Sequence, residues 1–143
     1  MTVGVLAFHG DFAEHLEILR SLKTKAIEVR SLDDLGQVDH LIIPGGESTV
    51  MARFLTETGV GDAIKARVKE GSLAVYGTCA GAILVSRKVT GKNAPRPLGL
   101  IDIVVDRIEV KPDNHSRIAE SVTHALNLSQ GECIALIANS EDE

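Results

Sequence analysis

Ser72-Leu73-Ala74-Val75-Tyr76-Gly77-Thr78-Cys79-Ala80-Gly81 carries an apolar run straight into a Gly-x-Cys-x-Gly turn. The first six residues suit a strand buried on both faces, the kind that fills a parallel sheet. Ala80–Lys88 continues as a small, apolar, helix-patterned segment. Strand, glycine-flanked cysteine and helix in that order form a nucleophile elbow, with Cys in place of the more common Ser. The glycines permit a tight turn that a Cβ would obstruct, and the turn lifts the sulfur into a cleft. The helix start behind it offers free N–H groups and partial positive charge, which favour a thiolate and can hold an oxyanion. The competing reading is a buried structural cysteine beside a glycine turn. The paired glycines and the strand–helix context favour the nucleophile. Cys133, amid Ile134, Ala135 and Leu136, reads as a core residue.

Outward from this elbow the chain repeats the same alternation. Thr2–Phe8 reads as a buried strand ending at His9-Gly10, and Phe12, Leu16, Leu19 and Leu22 then recur at helical spacing, with Asp11 placed to cap that helix. Lys25–Arg30 and His40–Pro44 read as the next strands. Ser48 to about Thr56 and Gly61 to about Glu70 read as helices. Gly91–Pro97 is a loop, Leu98–Val110 is predicted as a strand, Ser116–Leu128 as a helix and Cys133–Ala138 as a last strand. Buried strands alternating with helices specify an α/β fold whose sheet is parallel and covered on both faces. In such sheets ligands bind beyond the carboxyl ends of the strands. Three polar, glycine-bearing segments fall there: His9-Gly10, Pro44–Ser48 and Gly77–Gly81. Paired Gly45-Gly46 let the backbone approach a ligand, and Glu47 and Ser48 add polar handles. No lysine follows in the P-loop pattern, which argues against nucleotide binding. The plain alternative for this segment is a turn with Ser48 as the helix cap.

Composition bounds the remaining function classes. The 143 residues fit one domain over 1–143, and 44% hydrophobic with 24% charged residues is an ordinary globular balance. With 3% aromatics the core must be aliphatic. The net charge of −5 argues against a nucleic-acid surface. No apolar run approaches the length of a membrane span. Two cysteines make no disulfide framework, so a cytoplasmic setting is expected. The histidines are scattered and neither cysteine has a partner at ligand spacing, so no metal site is expected.

Gly4-Val5-Leu6-Ala7, Gly10-Asp11, Glu14-His15, Pro44-Gly45-Gly46-Glu47-Ser48-Thr49, Gly77-Thr78-Cys79-Ala80-Gly81 and Leu98-Gly99-Leu100 together resemble the glutaminase subunit of pyridoxal phosphate synthase, a family of class I glutamine amidotransferases. The resemblance spans residues 2–107. It implies a flavodoxin-like three-layer sandwich with a mainly parallel sheet. It implies hydrolysis of L-glutamine to glutamate and ammonia, without a cofactor, the ammonia passing to a synthase subunit in a hetero-oligomer that makes the vitamin B6 cofactor. By the same resemblance Cys79 is the nucleophile and Gly46, Glu47 and Ser48 touch the glutamine. Val105-Asp106-Arg107 matches the family's Val-Glu-Arg, so Arg107 would hold the substrate too, as a two-pronged partner of its carboxylate. Gly10 and Ala80 are the candidates for oxyanion donors.

The pattern departs from the family after Arg107. The late His-Pro-Glu that completes the family's Cys–His–Glu triad is absent, as is its Ile-Arg-Ala-Pro segment, and residues 108–143 diverge. The chain is thus expected to lack the family's usual C-terminal portion. The sole His-x-Glu is His15-Leu16-Glu17, whose i and i+2 side chains leave a helix in different directions. His9 stands where the family usually has Gln and is a candidate substitute base. His115 and His124, in the divergent part, read as solvated. A second function therefore stands beside glutaminase: a catalytically impaired pseudo-glutaminase that only binds the synthase. A chaperone- or stress-type protein with an elbow cysteine is disfavoured by the Pro-Gly-Gly-Glu-Ser and Gly-Asp segments.

Overall fold

In the computed structural model, residues 1–89, 94–101, 111 and 115–129 are described. They form two compact units, the first comprising Met1–Val89 with Asn93–Asp102 and the second carrying one helix. In the first unit the apolar runs become strands β1 (Val3–Leu6), β2 (Ala26–Val29), β3 (His40–Ile43) and β4 (Ala74–Gly77). All pair in parallel, in the order β2-β1-β3-β4. This is the doubly wound arrangement in which direction reverses between β1 and β3, and the crevice at that reversal is where ligands bind. The α/β class and the parallel sheet are as the sequence predicts.

Helices α1 (Phe12–Ser21), α2 (Leu32–Gly36), α3 (Ser48–Glu57), α4 (Val60–Lys69) and α5 (Ala80–Val85) connect and flank the strands. Parallel register puts Gly4, Leu41 and Val75 in one cross-strand row and Val5, Ile42 and Tyr76 in the next, on the opposite face. The first face meets α2–α5: Leu6, Val29, Leu41 and Ile43 share one aliphatic core with Leu35, Met51, Leu55, Ile64 and Leu84. The second face is covered unevenly. α1 lies over β1 and β2, so Val5 is 0% exposed, whereas Tyr76 in the same row is 62% exposed. Among the described residues of the first unit, α1 packs against β1 and β2, and no helix on that face packs closely against β3 or β4.

Four local features differ from the sequence reading. The five-residue α2 was not predicted; Ser31 caps it, its Oγ accepting from the Asp34 amide while the Asp34 carboxylate accepts from Ser31 Oγ and the Arg30 amide. This reciprocal box needs only Ser31 and Asp34, too short a signal for periodicity to register. Asp11 occupies the N-cap of α1 but its side chain makes no capping hydrogen bond. α5 stops at Val85 rather than Lys88, because Ser86 turns extended and bridges to Ile101. Leu98–Leu100 has no regular structure, although the Leu98 and Leu100 amides donate to Leu84 and Val85 carbonyls. The rest of the expected Leu98–Val110 strand and the expected Cys133–Ala138 strand lie outside the described residues. The second unit carries α6 (His115–Ser129), close to the predicted Ser116–Leu128.

Arg67 near the end of α4 ties the opposite end of the sheet together. Its guanidinium donates to the carbonyls of Leu35, Val38 and Ser72, that is, to α2 and to the approaches to β3 and β4. A planar cation with five donors suits this task, which a lysine cannot duplicate. Arg67→Ala leaves three carbonyls without that donor and is expected to lower stability by about 2 kcal/mol, read from urea unfolding; a midpoint unchanged from the parent chain would contradict this role.

Candidate functional site

The site is built where β1, β3 and β4 end. After β4, Gly77-Thr78-Cys79 turns sharply into α5, and Cys79 holds φ 49° and ψ −113°. A non-glycine residue with positive φ in this region is strained by about 1–3 kcal/mol, and such strain persists only where neighbours over-determine it. The neighbours do so here. The Thr78 amide donates to the Ile43 carbonyl (3.0 Å), and the Thr78 carbonyl accepts from the Gly81 amide (2.8 Å). A Cβ on Gly81 would overlap the Ile43 carbonyl, and one on Gly77 would lie 2.6 Å from the Gly81 oxygen. Both glycines are therefore required by close backbone approach. The outcome is an exposed Cys79 at the start of α5.

The two other strand ends close around it. The Asp11 amide donates to the Gly45 carbonyl (3.2 Å), so the loop after β1 is laid against the loop after β3. Gly10, at φ 89°, permits this contact, because a Cβ there would run into the Gly45 carbonyl. A Cβ placed on Gly45 would lie 2.9 Å from Asp11 Oδ2 and 3.5 Å from Cys79 Cβ, which puts both residues beside that glycine. The rings of Phe8 and Phe54 stack 5.5 Å apart and fix α3 against the end of β1. The three converging segments of the sequence reading are thus one site.

Polar side chains in it have defined partners. Glu47 caps α3, its carboxylate accepting from the Thr49 amide (3.0 Å), the Val50 amide (2.8 Å) and the Thr49 hydroxyl (2.7 Å). The cap is therefore Glu47 and not Ser48. The Thr49 hydroxyl first, then the two amides, with a smaller contribution from His9, hold the Glu47 carboxyl below its ordinary value of 4.5. His9, exposed, accepts from the Glu47 amide at Nδ1 (3.3 Å) and so bridges the two glycine loops. The sequence offers His15 no partner in Glu17, yet its Nε2 lies 3.4 Å from Thr78 Oγ1, one residue from the cysteine. His115 and His124 sit at exposed positions of α6. Arg107 and Cys133 lie outside the described residues. Among the described residues no group of three or more His, Cys, Asp or Glu could hold a metal ion, and no helix is long and apolar enough to cross a membrane.

A thiol exposed at a helix start can attack a carbonyl carbon, and the partnerless N–H groups of such a start can stabilise an oxyanion. Comparison with known proteins narrows the chemistry. The model of the SNO glutamine amidotransferase family matches residues 5–136. The chain belongs to that family. Among curated relatives, the pyridoxal 5'-phosphate synthase subunit PdxT of Thermus thermophilus is 48% identical over 105 residues, 73% of this chain and 55% of that protein. The PdxT of Clostridium acetobutylicum is 44% identical over 107 residues, 75% of this chain and 56% of that protein. A crystal structure of a glutamine amidotransferase superimposes with a TM-score of 0.65 at 47% identity, covering 68% of this chain and 52% of that one. A peptidase E protein from Listeria monocytogenes, at 20% identity and a TM-score of 0.58, covers 86% of this chain and 74% of that one and shares the fold. The chain spans about half the length of the curated SNO-family relatives it matches.

The Glu47 cap has a pH signature. A carboxyl held below its unfolded value stabilises the fold fully above that value, and the contribution disappears as pH falls through the folded value. Glu47→Ala is therefore expected to lower the urea midpoint at pH 7, with the gap from the parent chain closing as pH drops below about 4.5. A gap of constant size across that range would contradict the capping role.

Proposed function

We propose that this chain is a glutaminase-type component of pyridoxal phosphate synthesis. It hydrolyses L-glutamine through Cys79 and delivers ammonia to a synthase subunit. The observation that carries this reading is the strained, exposed Cys79 at the start of α5, framed by the Gly10 and Gly45–Gly46 loops. Family membership supplies the substrate class: the matching family is one of glutamine amidotransferases, and the relatives are subunits of pyridoxal 5'-phosphate synthase.

The chemistry balances on these residues. The Cys79 thiolate attacks the carboxamide carbon of glutamine, and the carbonyl oxygen takes up negative charge. Collapse of that adduct expels the nitrogen, which leaves as ammonia after taking a proton, and a γ-glutamyl thioester remains on Cys79. Water then attacks the thioester through a second oxyanion, releasing glutamate and the thiol. Splitting one hard displacement into two easier ones is the value of the covalent step. The amide of Ala80, in the first turn of α5 where helical N–H groups lack a partner, and that of Gly10 are the oxyanion donors in this reading. Gly46, Glu47, Ser48 and Arg107 hold the glutamine. Because the Glu47 carboxylate is engaged with α3, its part is to fix the loop whose backbone faces substrate.

Proton handling sets the rate. His9 presents Nδ1 to the Glu47 amide, so a base role for His9 requires that 3.3 Å bond to open first. General acid–base help is commonly worth 10²–10⁴. With the synthase subunit added, glutamate release is expected at about 10²- to 10⁴-fold below that of a family member that carries the His-Pro-Glu, and Cys79→Ala is expected to abolish it. Glutamate release that survives Cys79→Ala would overturn the nucleophile. Co-elution with the synthase subunit without any release would favour the binding-only reading.

A further inference from the structure

The inward stripe of α1 is Phe12, His15, Leu16 and Leu19, at i, i+3, i+4 and i+7. Three of these are apolar and His15 is not. A half-buried polar group in such a stripe calls for a partner, and the one it meets is the Thr78 hydroxyl at 3.4 Å. Thr78 is thereby held at three points: its amide by Ile43, its carbonyl by Gly81 and its hydroxyl by His15. The first two bonds come from the elbow's own neighbours, β3 and α5. The third comes from α1, across the crevice. Its direct neighbour in sequence, Cys79, is the residue whose backbone is strained.

We propose that His15 is a positioning residue for Cys79: through Thr78 Oγ1 it holds the elbow in the conformation that presents the sulfur. The Asp11–Gly45 bond joins the start of α1 to the loop after β3, and the His15–Thr78 contact joins the next turn of α1 to the elbow after β4, so α1 grips the site at two places one turn apart. His15 does not stand in for the missing His-Pro-Glu; it acts on the backbone and not on the thiol proton. Its bearing on catalysis rests on the glutaminase reading, but its effect on the sulfur does not.

The test reads the sulfur directly. Alkylation of Cys79 by iodoacetamide is followed by peptide mass spectrometry at fixed pH, in native buffer and in urea. His15→Ala and Thr78→Val are each expected to slow native alkylation about five- to tenfold, the size of one lost hydrogen-bond contact. The rate in urea should stay unchanged. The double variant should be no slower than either single one, since both remove the same contact, and His15→Gln, which keeps a polar group at the Nε2 position, should restore most of the rate. Unchanged native rates, additive losses in the double variant, or no rescue by His15→Gln would each overturn the proposal. If His15→Ala does not fold, Thr78→Val and His15→Gln decide it on the same criteria. Iodoacetamide needs no glutamine, so an inactive glutaminase leaves this test intact.

Discussion

The backbone of Gly81 lies so close to the Ile43 carbonyl that no side chain fits between them. That contact docks the first turn of α5 onto the end of β3. Because a Cβ on Gly77 would also collide with the Gly81 backbone, 2.6 Å from its oxygen, the chain has almost no choice of path between β4 and α5, and Cys79 is driven into a positive-φ conformation at the apex. The strain is retained because relaxing it would break the Thr78–Ile43 and Thr78–Gly81 bonds. The exposed sulfur and the strained turn that presents it follow from two backbones packed at glycine distance.

The same contact explains why the sheet order matters. With β1 and β3 adjacent at the reversal of winding, the loop after β1 reaches the loop after β3 through the Asp11 amide on the Gly45 carbonyl and through His9 Nδ1, which accepts from the Glu47 amide. The aliphatic core on one face, from Leu6 to Leu84, is complete and holds the strand ends in register. Among the described residues of the first unit, the other face is covered over β1 and β2 by α1. Tyr76 stands largely in the open in the row that buries Val5. The geometry of the site depends on the finished face, which carries α3, α5 and both glycine loops.

The fold and the outline of the site were legible in the sequence because they rest on short, local signals. Apolar runs bounded by Gly or Pro marked β1, β3 and β4, and the flanking glycines marked Cys79; β4 is not buried on both faces as its run suggests, since Ala74 and Tyr76 are exposed. What was not legible depended on contacts distant in sequence or too brief for periodicity. His15 lies 63 residues from Thr78, and nothing local distinguishes it from a surface histidine except its place in an otherwise apolar stripe. Glu47 reads as a ligand handle; only the structure puts its carboxylate on the Thr49 and Val50 amides. α2 hid behind a two-residue capping signal. The cap expected of Asp11 is absent because its carboxylate sits instead beside Gly45.

The most direct test of the central claim is covalent trapping with a glutamine analogue that carries an electrophile in place of the carboxamide, followed by peptide mass spectrometry. A γ-glutamyl adduct on Cys79, suppressed by excess L-glutamine but not by L-alanine, is the predicted result. An unmodified Cys79 in a folded chain, or an adduct that free glutamine does not suppress, would contradict a glutamine-binding elbow.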